Sequence, residues 1–461
     1  MKPHEAIESW HAWLAAHPAQ GATFRRRLQK RQWELGALFA GKPMRTFARP
    51  AFLSAAQFRL VRDTSQVLLD CAERVIARIH DDPALQEQIP VGPGEWELLR
   101  PCRGLKRQQV IARPDAFLME DSVKYLEFNA ESPAAVAWTD AFEQSFRELA
   151  PMRELPWARS IPVSRCQQLL VDALLGAARA YGCREVPNVA VVDWRNVPTI
   201  SEHHLVVDCF RARGVPAQVV DPLELELRGD ELWGNGHRID LVYRRVILGE
   251  LLARRTEPGP AALLEALRRD LVCIVNPFIT RVPGSKAFMS LLSHPRNEHV
   301  FTPEQIEVIR RVVPWTRVLG SVPSSFRGDR GDLLELVRIH KDHLVIKPTY
   351  SYGGKGVSIG PDTDASTWDA IIDKAADEPG DWTVQEYVTI PEEHYPVFDP
   401  DFRTTSLKCN LNPYLFGGRY AGAIVRLSRS SVINVSAGGG VIPALTLPDD
   451  ESPGTPPAAA E

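Results

Sequence analysis

Residues 124–133 read KYLEFNAESP, from Lys124 to Pro133. Their alternation predicts a strand with Leu126 and Phe128 on an apolar face, and it leaves Glu127 and Asn129 together on the other. A carboxylate beside an amide on an otherwise core-like strand needs a polar partner. Upstream, QVIARPDAF (109–117) is a second such run, separated from the first by Glu120, Asp121 and Ser122. Joined as an antiparallel hairpin, the two runs set Asp115 opposite Glu127, Arg113 opposite Asn129 and Phe117 opposite Tyr125. Carboxylates opposed across a ladder repel unless a cation lies between them. Asp, Glu and Asn oxygens are ligands that suit Mg²⁺, and a permanently charged arginine complements phosphate. Taken alone, the more ordinary reading of such a face is a solvated hairpin with an incidental arginine–carboxylate pair.

A second stretch shifts that balance. HLVIKPTYSYGGKGVSIG (343–360) starts as a buried strand, ends it in Lys347-Pro348, and returns through Gly356-Val357-Ser358-Ile359. It is not a Walker A loop, which needs GxxxxGK[ST] running into a helix. Gly353 and Gly354 sit at a hairpin tip, where small residues let backbone N–H groups approach phosphate oxygens. Lys347 would hold a fixed charge against the phosphates. By itself a glycine-rich hairpin is usually only a turn. The segment DWTVQEYV (381–388) adds a strand whose polar pair, Gln385 and Glu386, suits the reading of an adenine edge, after a helix over STWDAIIDKAAD.

A strand lysine, a glycine hairpin, a helix and a Gln-Glu strand together resemble the ATP-grasp superfamily. In most such enzymes the metal-binding Glu-x-Asn follows the lysine and glycine elements. Here Glu127 and Asn129 lie far ahead of Lys347, an order similar to that of the circularly permuted ATP-grasp ligases related to glutathionylspermidine synthetase. The most specific piece is RPD(x)11ExN(x)2S, matched by Arg113, Asp115, Glu127, Asn129 and Ser132. The resemblance implies that Asp115, Glu127 and Asn129 hold Mg²⁺, that Arg113 contacts ATP and stabilises transition-state charge, and that Ser132 touches a peptide-like substrate. It also implies Lys286, in NPFITRVPGSK, as a first ATP lysine, Lys347 as the second, and the segment from Trp382 to Gln385 around adenine. Glu202 is the candidate substrate-binding acid. Arg426, in YAGAIVRLS, is either a catalytic arginine of the phosphoacceptor site or a surface ion pair; Arg403 is undecided, and Arg429 reads more simply as surface.

The implied fold is α/β (α+β), a circularly permuted ATP-grasp fold with an inserted Rossmann-like unit and a helical N-terminal section. We divide the chain into a helical section (1–100), a metal-site hairpin with helices (101–180), an α/β unit (181–275), a nucleotide-binding region (276–445) and a disordered, Pro- and acid-rich tail (446–461). The amidase domain of the bifunctional relatives has no counterpart of sufficient length before residue 100, so amidase activity is not implied. The glycine loop TYSYGGKGV also departs from the Arg- and Glu-richer loop of the glutathionylspermidine enzymes.

Composition bounds the partners. With 461 residues, 44% hydrophobic and 24% charged, there is material for two or three domains with substantial cores. A net charge of -4 and a pI near 6.3 give no basic footprint for nucleic acid or anionic lipid, which leaves small molecules. No apolar run is long enough to span a membrane, and the first residues lack a signal-peptide core. The seven cysteines are scattered without a C-x-x-C pair, which suits a reducing, cytoplasmic setting. The expected reaction is ATP- and Mg²⁺-dependent joining of a carboxylate to an amine, with Glu131 or Glu202 available to accept a proton. The alternatives are a phosphotransferase and a non-catalytic nucleotide-binding protein.

Overall fold

Ser54 and Gln57 start the longest N-terminal helix. The Ser54 hydroxyl accepts from the Gln57 N–H and the Gln57 side chain accepts from the Ser54 N–H, a reciprocal cap that satisfies first-turn donors. This helix, Ala55–Arg78, follows helices Pro3–Ala16 and Pro18–Glu34 and buries Val61, Leu68 and Val75. The computed structural model describes residues 1–449 apart from 93, 184–185, 352, 399–401 and 435–437. The N-terminal section also contributes a strand that its helical reading leaves out, β1 (Ala51–Leu53).

The predicted hairpin forms from β2 (Ile111–Leu118) and β3 (Val123–Asn129). After it comes a parallel α/β unit of β4 (Val189–Val192), β5 (Ala217–Val220), β6 (Leu241–Arg244) and β7 (Cys273–Val275), in the order β7-β6-β4-β5. β4, β6 and β7 are buried along their whole length, as parallel strands covered on both faces must be. The Gly234-Asn235-Gly236 signal makes the expected turn, between strands Glu231–Gly234 and His237–Arg238.

A smaller antiparallel sheet follows, with β8 (Thr316–Val318), β9 (Leu344–Pro348), β10 (Ser358–Ile359) and β11 (Trp382–Glu386) in the order β8-β11-β9-β10. Helix Ala365–Asp377 covers it, burying Trp368 and Ile372 with Leu344, Ile346 and Val384. The last strands, β12 (Glu392–Phe398), β13 (Phe402–Phe416), β14 (Arg419–Ser428) and β15 (Gly440–Thr446), return to the hairpin. The main sheet therefore runs β1-β15-β14-β13-β2-β3, with β12 pairing β13. Of the tail expected from residue 446, Thr446 ends β15 and the Leu447 N–H donates to Leu53 O; residues from 450 lie outside the described ones.

Two features position the site. Asn276, just after β7, accepts from the Ile111 N–H and donates to Ile111 O and Ala130 O, joining the parallel unit to both hairpin strands. The hairpin register also departs from simple alternation. Arg113 pairs with Asn129 and Asp115 with Glu127 as expected, but a shift at Asp115/Ala116 then sets Ala116 opposite Tyr125 and Phe117 opposite Lys124. Leu126 is the extra residue of this bulge. Tyr125 and Phe128 both reach the core, while Leu126, expected beside Phe128, turns out of it.

Candidate active site

The bulge places Leu126 and Glu127 consecutively along one cavity of about 190 Å³ between the main sheet and the smaller sheet. Its floor is the polar face of the hairpin. The Asn129 amide donates to Asp115 Oδ1 at 3.1 Å and to Glu127 Oε1 at 3.2 Å, so two carboxylates converge on one amide. Arg113 Nε donates to Asp115 Oδ1 at 3.1 Å and its Nη1 to Ala134 O at 3.0 Å. Arg426, on β14, donates to the other Asp115 oxygen, and it is aimed by Asn412 Oδ1 at 2.7 Å and Asn410 Oδ1 at 3.0 Å. Arg426 thus lines the cavity and is at the same time ion-paired with Asp115.

The lysines come from the opposite wall. Lys286 lies 3.7 Å from Glu127 and donates to Ser351 O at 2.7 Å. Lys347 ends the apolar strand β9 and donates to Gln385 Oε1 at 2.7 Å. Burial lowers the Lys347 ammonium from its ordinary value to about 8, with Glu127 opposing the fall and Lys286 adding to it. Glu127 is held down at about 2: burial raises it, but Lys286, Lys347 and Arg426 prevail. Asp115 moves the other way, pushed up by burial against the pull of Arg426 and Arg113. Adjacent carboxylates divide their proton affinities in this manner, and a cation relieves the repulsion. Oxygen donors from Asp115, Glu127 and Asn129 fit a hard divalent ion once the Asn129 amide presents its oxygen, a rotation that ordinary side-chain torsions allow.

The roof is the glycine hairpin. Gly353 and Gly354 line the cavity at φ +73° and +71°, conformations that favour glycine, and Asn434 donates to Gly353 O. The far end is apolar, lined by Val345, Val357, Ile359, Val388 and Ile390. Glu386 lines that end, its carboxylate 3.8 Å from Arg327. Gln385 is buried there, but its side chain bonds to Lys347, Thr316 and Leu126.

Three residues expected at the site do not line this cavity. Glu202 is buried and does not line the cavity; its oxygens accept from the Ala135 and Ala137 N–H groups and face Arg245 at 3.6 Å, so it braces a loop. Ser132 likewise stands off the cavity lining and donates to Arg245 O at 2.7 Å. Glu131 accepts from the Leu248 N–H at 2.7 Å and faces Arg244 and Arg281. Arg429 reaches Thr405 at 3.5 Å, and neither it nor Arg403, opposite Val397 in the β12–β13 pair, lines the cavity. Sequence reading passed over Asn410 and Asn412. Their signal was present in KCNLNP, polar residues at alternate positions of an apolar strand, the same pattern that exposes Glu127 and Asn129.

The family described as "Circularly permuted ATP-grasp type 2" matches residues 156–428. A putative glutamate–cysteine ligase 2-3 from Frankia alni is 28% identical over 332 residues, covering 68% of this chain and 36% of the relative. A putative glutamate–cysteine ligase 2-2 from Frankia casuarinae is 26% identical over 334 residues with the same coverage. The chain thus spans about a third of the length of these curated relatives. Among solved structures, the glutathione synthetase-like effector GSS30 of Globodera pallida, in apo form, superposes with a TM-score of 0.61 over 92% of this chain and 96% of its own, at 11% identity, a likeness of fold.

Proposed function

Since the chain belongs to the circularly permuted ATP-grasp type 2 family, we propose that it is an ATP- and Mg²⁺-dependent ligase that joins a carboxylate to an amine through an acyl phosphate. The observation that carries this reading is the meeting of Lys286, Lys347, Arg113 and Arg426 with Asp115, Glu127 and Asn129 around one cavity, from four separate parts of the chain. In this reading residues 101–180 and 276–445 form the catalytic body and 181–275 an inserted unit.

The apolar end receives the adenine ring, and the glycine hairpin lies over the phosphates. Lys286 and Lys347 bind phosphate oxygens, while Arg113 and Arg426 face the charge that develops at the transferred phosphoryl group. Asp115, Glu127 and Asn129 would hold Mg²⁺, which supplies charge neutralisation at the phosphates when bound. A substrate carboxylate oxygen bonds to the γ-phosphorus as the bond to ADP breaks. The amine nitrogen then bonds to the acyl carbon, inorganic phosphate leaves, and the ammonium proton passes to solvent. Positioning and charge neutralisation provide most of the acceleration in such a reaction.

For substrates we favour amino-acid-like acids and amines over a polyamine. Among the described residues the only acids lining the cavity are Asp115, Glu127 and Glu386, against Arg113, Lys286, Lys347, Lys355 and Arg426. Two of these acids are assigned here to Mg²⁺ and Glu386 faces Arg327, while the acid expected to bind a polyamine, Glu202, is engaged by backbone. The curated relatives' name makes L-glutamate and L-cysteine the first pair to assay. The test is incubation with Mg-ATP and pooled amino acids. ADP, phosphate and a new amide support the ligase; ADP with a stable phosphorylated product indicates a phosphotransferase, and absence of turnover with retained ATP binding indicates a binding protein.

A further inference from the structure

We propose that Gln385 is a positioning residue that couples the phosphate-facing lysine on one wall of the cavity to the metal-facing hairpin on the other, a role that rests on the nucleotide-dependent function above. The sequence suggests that this glutamine reads adenine. Its surroundings leave it little freedom to do so. The side chain is 3% exposed, and both amide hydrogens are used, one on Thr316 Oγ1 at 3.0 Å and one on Leu126 O at 3.3 Å. Its oxygen takes the Lys347 ammonium at 2.7 Å. A primary amide has two donors, so neither remains for a base edge.

The partner on the hairpin side is specific. Leu126 is the extra residue of the bulge, and a bulged residue leaves the regular ladder. Its carbonyl is therefore available to a side chain from outside the sheet, and Gln385 donates to it across 259 positions of chain. The same bulge sets Glu127 into the cavity directly after Leu126. One amide thus fixes the Lys347 head and the backbone beside Glu127, and it ties β11 of the smaller sheet to β3 of the main sheet.

The two halves of this role separate by substitution. Gln385→Glu keeps an acceptor for Lys347 but loses the donor to Leu126 O, whereas Gln385→Leu loses both. ADP affinity by calorimetry, the KM for ATP, and the Mg²⁺ concentration giving half-maximal turnover are measured for each. Gln385→Leu is expected to weaken ADP binding about tenfold and to raise the Mg²⁺ requirement. Gln385→Glu is expected to retain ADP affinity within about threefold while its Mg²⁺ requirement rises and kcat falls. A merely structural glutamine would lower the melting temperature and the active fraction in both variants but leave KM and the Mg²⁺ requirement of the folded fraction unchanged, and that result overturns the proposal. If Gln385→Leu does not fold, Gln385→Glu decides alone: a wild-type Mg²⁺ requirement in that variant overturns it. Failure of the wild-type protein to bind ADP or ATP would instead remove the nucleotide-dependent function.

Discussion

Arg426 donates to the carboxylate of Asp115, a residue 311 positions earlier in the chain. The contact is possible because β13 lies between β14 and β2 in the main sheet, and Asn410 and Asn412 on β13 hold the guanidinium on its cavity face. Replacing Arg426 with Met keeps its aliphatic stem and removes the charge. Turnover should fall about 100-fold, the scale for loss of one preorganised charge donor, with ADP release as the measure. Unchanged turnover would return Arg426 to the role of a sheet ion pair.

Glu127→Gln preserves volume and removes one negative oxygen. The Mg²⁺ concentration for half-maximal activity should rise roughly 10–100-fold, while the thermal unfolding midpoint changes little. A magnesium titration of ATP turnover checks this, and an unaltered titration curve would exclude Glu127 as a ligand.

The lowered Lys347 ammonium makes a pH prediction. Below about pH 8 the lysine is already charged in the nucleotide-free protein; above it, binding ATP requires proton uptake. Affinity should therefore be flat from pH 6.5 to about 7.5 and weaken as pH rises through 8, by at most about tenfold per unit. Lys347→Met should bind weakly at every pH and lose this dependence. For folding the sign is opposite. The folded value lies below the unfolded one, so between about pH 8 and 10.5 this group adds stability as pH rises.

Glu202→Ala tests the corrected reading of that acid. Its carboxylate serves the Ala135 and Ala137 N–H groups and faces Arg245, all buried or partly buried. Removing it should cost about 3 kcal/mol of stability and leave the KM values of the folded enzyme within about twofold. A large rise in the KM for one substrate, with an unchanged melting temperature, would restore Glu202 to the substrate site.

Gly354→Ala acts on the loop over the phosphates. At φ +71° an added Cβ is strained by about 1–2 kcal/mol, and it would stand 2.5 Å from Val432 Cγ1. The KM for ATP should rise about fivefold or more with kcat less affected, as read from initial rates.

Much of the hairpin was legible because its period of two exposes polar residues on one face: the Asp115–Glu127 and Arg113–Asn129 pairs follow from alternation once Glu120, Asp121 and Ser122 are taken as the loop. The bulge was not, since pairing beyond Asp115 is settled by how Tyr125 and Phe128 reach the core rather than by the pattern of the strand itself. Lys347 was singled out by its place at the end of an apolar strand and Lys286 only through the family resemblance, and both line the cavity. Asn410 and Asn412 were passed over because their meaning depends on Arg426 across the next strand. Glu202 misled for the converse reason: an acid following a strand resembles a ligand-binding group, and only the tertiary structure shows two backbone amides already holding it.

The main sheet also determines when this protein can acquire its shape during synthesis. β1 pairs with β15, and β2 pairs with β13, so early strands find their neighbours only in segments translated much later. The parallel unit, whose strands lie close together in the chain, can assemble on the ribosome first. Ala112 and Ala116 of β2 must wait for their partners Leu415 and Leu411 on β13 to emerge. Permuting the order of elements thus leaves the finished sheet intact while lengthening the interval in which a nascent chain depends on protection from aggregation.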